Sequence, residues 1–226
     1  MRVVIMGGTS GIGLATADLL TADGAEVIVT GRDPDRVAAV KTATAASVDA
    51  TSDEDLTAFF ASTGPFDHLV LAFSQGHTGV GPLAAIGPDH IRAAFEGKVF
   101  PYLSCIQKAQ VTSSITMISA SSARSTLPGI TALAAANGAI ERMVSPLAAE
   151  LAPVRVNAVS PGVIDTPWWS FLPEPQKEAQ FATAAESLPL KRVGRPTEVA
   201  EAIRYLLTAT YVTGAILPVD GGFTVA

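Results

Sequence analysis

The sequence predicts a doubly wound α/β domain, a parallel sheet with helices on both faces. Short β-branched apolar runs alternate with longer helix-like stretches, which is the pattern of βαβ units. The runs are apolar on both faces rather than alternating, as expected when helices cover both sides of a sheet. The first run ends in a glycine-rich turn that opens a helix, the junction at which such sheets bind nucleotides.

The expected strands are Arg2 to Met6, Glu26 to Thr30, His68 to Ala72, Ser114 to Ser119, Arg155 to Ser160 and Ala215 to Val219. Between the first two lies the helix-like stretch from Leu14 to Leu20. Ser52-Asp53-Glu54-Asp55 has capping-box spacing and leads into Leu56, Phe59 and Phe60. Pro88-Asp89 and Pro196-Thr197-Glu198 mark further helix starts, with proline and an acid in the first turn. The segment from Thr166 to Pro189 differs in texture: two adjacent tryptophans, two prolines and a short helical stretch. It is expected to form a substrate-side lid at about 166–190. With no repeat, charge block or linker, residues 1–226 are expected to form a single domain.

Composition narrows the function. The 226 residues carry 15 Lys+Arg against 21 Asp+Glu, a net charge of −6, with no basic patch, so nucleic acid and anionic membrane are disfavoured partners. Hydrophobic content is 48% and mean hydropathy +0.36, yet each apolar run is far too short to cross a bilayer. Glycines follow the first few apolar residues, which leaves no room for a secretory signal. The one cysteine, Cys105, excludes an internal disulfide and a cysteine metal site, so a cytoplasmic setting and no metal are expected.

In Gly7-Gly8-Thr9-Ser10-Gly11-Ile12-Gly13, bare N–H groups and the positive end of a helix dipole await a pyrophosphate, as in a Rossmann-type dinucleotide site. An acid at the end of the second strand would hold ribose hydroxyls and select NAD. That place is taken by Gly31, followed by Arg32, whose guanidinium suits a 2′-phosphate, so NADP(H) is the expected cofactor.

At this point the chain resembles the short-chain dehydrogenase/reductase family from end to end. Gly7, Gly11 and Gly13 look like its TGxxxGxG loop, with Met6 for the threonine. Asp49, followed by Ala50, is similar to its adenine-binding aspartate after a third strand. Arg155 to Pro167, containing Pro161, Gly162, Val163, Ile164 and Thr166, matches its nicotinamide-lining segment, which implies that the Thr166 hydroxyl meets the carboxamide. Lys191 to Ala200 and Val212 to Gly222 look like its C-terminal signatures. The resemblance also implies a homodimer or homotetramer built on the helices around Pro88 to Gln110 and Thr131 to Leu151.

The catalytic residues depart from the family. Leu133 stands at the tyrosine position, Asn137 at the lysine four residues on, Ala120 at the serine and Lys98 at the asparagine. The stretch after the fourth strand is altered to Leu71-Ala72-Phe73-Ser74. Leucine cannot protonate an alkoxide, so the usual Ser-Tyr-Lys chemistry is excluded. Lys98 is the substitute candidate: a desolvated ammonium can serve as an acid or stabilise negative charge, or it can hold the helix junction through backbone carbonyls. Ser119, beside Ala120, can donate to a substrate or to the cofactor, or cap its own strand. His77, in the glycine-rich connection after the fourth strand, is a titratable candidate or an exposed loop residue. Arg124 can meet an acidic or phenolate substrate or remain solvated. Trp168 and Trp169 can wall off an apolar or aromatic substrate or serve as core and interface.

Three functions fit this pattern. The favoured one is an NADPH-dependent oxidoreductase of a small molecule, using a substitute acid or reducing a quinone or conjugated carbonyl that needs little protonic help. The second is a non-redox isomerase, cyclase or lyase that retains NADP. The third is a non-catalytic NADP(H)-binding sensor or silent subunit.

Overall fold

The computed structural model describes residues 1–225. Its strands are β1 (Arg2–Met6), β2 (Glu26–Gly31), β3 (Thr44–Ser47), β4 (Phe66–Leu71), β5 (Val111–Ile118), β6 (Arg155–Pro161) and β7 (Ile216–Val219). They form one parallel sheet in the order β3-β2-β1-β4-β5-β6-β7, so the strand order reverses between β1 and β4. The helices are α1 (Gly11–Ala22), α2 (Pro34–Ala39), α3 (Asp53–Thr63), α4 (Pro88–Ala94), α5 (Phe100–Lys108), α6 (Thr131–Glu150), α7 (Glu174–Ser187) and α8 (Pro196–Thr208).

Two cores sandwich the sheet. On one side Met6, Leu71, Ile115, Met117 and Ala158 pack against α3, α5 and α6 through Phe60, Tyr102, Ile140 and Val144. On the other, Val3, Ile5, Val29, Val70 and Val159 meet α1 and α8 through Leu20, Val199, Ile203 and Leu206. Both faces of the inner strands are thereby buried, and each buried Leu, Ile or Val contributes roughly 1.5–3 kcal/mol.

The expected helix starts are present. Ser52 Oγ accepts the Asp55 amide at 3.2 Å and donates to Asp55 Oδ1 at 3.1 Å, which fixes the start of α3. Glu198 Oε2 accepts the Arg195 amide at 2.8 Å at the start of α8, and the bond from Arg192 at 2.6 Å helps hold its carboxyl down to about 2. Strand limits move by a few residues: β4 and β5 start at Phe66 and Val111, earlier than the apolar runs. The runs reading also omits β3. Thr44-Ala45-Ala46-Ser47 is an edge strand of small residues, half-buried at most, and carries little hydrophobic signal.

A π-turn over Phe95–Val99 joins α4 to α5. Pro101 has no N–H for the Gly97 carbonyl four residues back, and its ring would crowd that carbonyl, so the helical ladder widens just before it. The widened turn buries Gly97, Lys98 and Val99.

Candidate functional site

The C-terminal ends of β1, β4, β5 and β6 meet around the point where strand order reverses, the usual ligand crevice of an open α/β sheet. The Gly7 and Gly8 amides both donate to the Thr30 carbonyl at 3.0 Å, which staples the glycine loop to β2. A Cβ on Gly13 would strike the Gly7 carbonyl oxygen, so the turn closes tightly onto α1. Ser10 makes no side-chain cap and α1 has no acid in its first turn, so its first N–H groups stay free for an anion. This cradle fits a dinucleotide pyrophosphate.

Neighbouring segments close around the loop. A Cβ on Gly7 would lie 2.7 Å from that of Phe73, so the chain after β4 crosses the loop, with Ala72 donating to the Met6 carbonyl at 2.9 Å. Ser74 is exposed beyond it. A Cβ on Gly11 would sit 3.4 Å from Thr166, which brings the segment after β6 beside α1 and Ile12. That segment is fixed on its far side: Gly162 donates to the Val219 carbonyl at 3.0 Å, Gly194 to the Val163 carbonyl at 2.9 Å, and Ile164 bridges to Gly194. Beyond β2, Arg32 is exposed and has no ion-pair partner among the described residues. Asp49, before buried Ala50, accepts the Thr51 amide at 2.9 Å; that bond chiefly, with Arg32 nearby, keeps its carboxyl below the usual range.

Lys98 lies at the end of β5 and is 8% exposed. Its Nζ donates to Asn137 Oδ1 at 2.6 Å and to the Ser119 carbonyl at 3.3 Å, and stands 5.9 Å from the centre of the Tyr102 ring. Burial lowers its pKa to about 7. Asn137 in turn donates to Ser122 Oγ at 3.1 Å and to the Leu133 carbonyl at 3.0 Å. Lys98, on the turn, and Asn137, on α6, are thus in contact.

Ser119 and Arg124 are both committed to Glu141. Glu141 Oε1 accepts from Ser119 Oγ at 3.0 Å and from Ser160 Oγ at 2.8 Å, while Arg124 Nε donates to Oε2 at 3.0 Å. The Glu141 side chain is 10% exposed, so this carboxylate ties the ends of β5 and β6 and the 3-10 turn Ser121–Arg124 to α6. Sequence reading missed Glu141, because a helix glutamate ordinarily faces water; its spacing of four from Asn137, on the same face, is the available signal. It also missed Tyr102, fully buried, whose hydroxyl reaches the Leu71 carbonyl at 2.7 Å and lies near those of Phe73 and Ile118. Burial pushes this phenol well above its ordinary pKa, which makes Tyr102 a tether between strand ends and a poor proton donor.

Leu133 donates its amide to the Gly79 carbonyl at 3.3 Å, and Ala120 lies in extended backbone before the 3-10 turn. His77 is exposed and stacks on Phe171 with centroids 4.4 Å apart. Phe171 belongs to a 3-10 turn, Pro167–Phe171, in which Trp168 and Trp169 pack edge to face at 4.7 Å. Trp169 Nε1 donates to the Ile164 carbonyl at 3.0 Å, and its ring meets Phe181 of α7 at 5.5 Å. Residues from the connection after β4 and from the segment after β6 therefore share one aromatic cluster. The latter segment contains more helix than expected, the 14 residues of α7.

Known proteins share this fold. A family profile described as enoyl-(acyl carrier protein) reductase matches residues 7–224. The short-chain dehydrogenase/reductase ATR9 of Stachybotrys chlorohalonatus is 32% identical over 97% of this chain and 95% of its own length. A small-chain dehydrogenase solved in complex with NADPH superposes with a TM-score of 0.88 at 27% identity, covering 100% of this chain and 99% of its own. The reductase/Diels-Alderase MalC of Malbranchea aurantiaca superposes with a TM-score of 0.89 at 25% identity, covering 99% and 95%. By its sheet, its glycine loop and these relatives, the chain belongs to the short-chain dehydrogenase/reductase family of oxidoreductases.

Proposed function

We propose that this protein is an NADPH-dependent reductase of a carbonyl, quinone or conjugated carbonyl in a small apolar or aromatic molecule, with Lys98 in place of the family's proton donor. The carrying observation is the buried Lys98 ammonium at the end of β5, held by Asn137 Oδ1 and the Ser119 carbonyl in a place where an apolar side chain would cost far less. NADPH, when bound, supplies a hydride. The loop Gly7–Gly13 and the first turn of α1 receive the pyrophosphate, Arg32 the 2′-phosphate, Asp49 and Ala50 the adenine, and Ala72, Phe73 and Ser74 with Pro161–Thr166 the nicotinamide side. That a related small-chain dehydrogenase was solved with NADPH supports the cofactor.

Two of the three Lys98 Nζ donors are used within the protein, and the third protonates the oxygen on which negative charge develops. Its lowered pKa makes that proton available near neutrality. Ser119 contributes its carbonyl, since its hydroxyl is spent on Glu141. Ala120, Leu133, Trp168, Trp169 and His77 form an apolar, aromatic wall, with residues 166–190 as the lid. Arg124 reaches an acidic substrate only by exchanging it for Glu141. We place the enzyme in the reducing cytoplasm as a homodimer or homotetramer; the buried Cys105 thiol, pushed up to about 12, is inert there.

NADPH consumption across aldehydes, ketones, quinones and conjugated carbonyls, with product analysis, tests this reading. Consumption with a reduced product supports it. A second reading, non-redox catalysis in the same cleft, is favoured by the loss of a donor at Leu133 and by the likeness to a reductase/Diels-Alderase. It predicts product without net NADPH consumption.

A further inference from the structure

Gly31, the last residue of β2, has no positive φ to explain a glycine. Space explains it. A Cβ there would stand 2.5 Å from Thr9 Oγ1, 2.7 Å from Thr9 Cγ2 and 3.2 Å from Thr9 Cβ. Rotating the branched Thr9 side chain can turn a hydrogen toward Gly31 in one rotamer, but the contact to Thr9 Cβ remains. Neither partner is free to retreat. The glycine loop is held to β2 by the Gly7 and Gly8 amides on the Thr30 carbonyl, and a Cβ on Gly8 would already meet Val29 at 2.6 Å. On the other side the Gly31 carbonyl accepts the Val48 amide at 3.0 Å.

We infer that Thr9 is a specificity-determining residue for the cofactor: its side chain occupies the volume that an acid at position 31 would need, and so bars the carboxylate that would bind a free ribose 2′-hydroxyl. Cofactor choice is then written twice, as exclusion by Thr9 and as attraction by exposed Arg32. The functional meaning of this pair rests on the NADPH reading above; the collision itself does not.

Two sets of variants test it. Fluorescence titrations with NADH and NADPH compare Thr9→Gly, Gly31→Asp and the double variant. Gly31→Asp alone gains no NADH affinity, whereas in the Thr9→Gly background it tightens NADH about tenfold, the worth of a charge-assisted hydrogen bond. An equal gain from Gly31→Asp with Thr9 intact overturns the inference. Thermal melts without cofactor isolate the collision: Gly31→Ala lowers Tm in the wild type and not in Thr9→Gly. Equal losses in both backgrounds also overturn it, and this cycle decides the matter if Gly31→Asp fails to fold. Arg32→Ala reads the underlying cofactor assignment separately. NADPH weakened far more than NADH supports it, and equal weakening removes it while leaving the collision cycle standing.

Discussion

Lys98 concentrates the chemistry of the molecule in one side chain. Burial disfavours its charged form, while Asn137 Oδ1 and the Ser119 carbonyl favour it; burial prevails and brings the pKa to about 7. The unfolded chain keeps the ordinary lysine value, about 10.4. Between these limits the unfolded state binds more protons, so stability is lowest at and below pH 7 and rises as pH increases toward 10, by at most about 1.4 kcal/mol per unit. Urea unfolding of the wild type from pH 7 to 9.5 should show this rise, and Lys98→Met should lack it. Lys98 is legible in the sequence because a charged residue stands where the family has an asparagine. Its contact with Asn137 is not legible, since it depends on a π-turn that Pro101 imposes from three residues away.

Among the elements, α6 organises the site through Asn137 and Glu141 on one face. Replacing Glu141 by Leu leaves Ser160 and Arg124 without their acceptor and Ser119 with the longer bond to the Val159 carbonyl at 3.3 Å, and loosens the ends of β5 and β6; a loss of about 2–4 kcal/mol in urea unfolding is expected, with a smaller loss for Glu141→Gln, which keeps an acceptor for the serines. A loss equal for both substitutions would reject the serine contacts as the source. The segment after β6 is held by Trp169 on the Ile164 carbonyl and by Lys177 on Asp165 at 3.2 Å, and meets the connection after β4 where Phe171 stacks on His77. Trp168→Ala should therefore raise KM about tenfold with kcat little changed, as read from initial rates with a substrate of the panel. The strands with strong apolar runs, the glycine loop and the caps at Ser52 and Pro196 are readable from sequence. Edge strand β3 and the aromatic cluster are not, because one lacks hydrophobic contrast and the other joins residues almost a hundred positions apart.

Across the whole molecule, a second buried titratable group stands at the opposite end of the sheet from Lys98. At the far end from the glycine loop, buried His68 Nδ1 lies 2.8 Å from Ser114 Oγ, and burial lowers its pKa. Its contribution is present above about pH 6.5 and is lost as pH falls below that, because the unfolded histidine takes up its proton first. Acid titration of Tm should show a decline that His68→Gln lacks, without altering the cofactor preference set at the other end. Family and fold are legible from one end of the chain to the other, but the reaction is not, since each position of the family's usual tetrad has changed. The central claim is that Lys98 is the proton donor of an NADPH-dependent reduction. Its most direct test is kcat against pH for the wild type and Lys98→Met, with the best carbonyl or quinone substrate. The account predicts wild-type turnover that falls as pH rises through about 7, and a variant at least tenfold slower with no such dependence. A Lys98→Met enzyme with unchanged turnover and the same pH profile would contradict it.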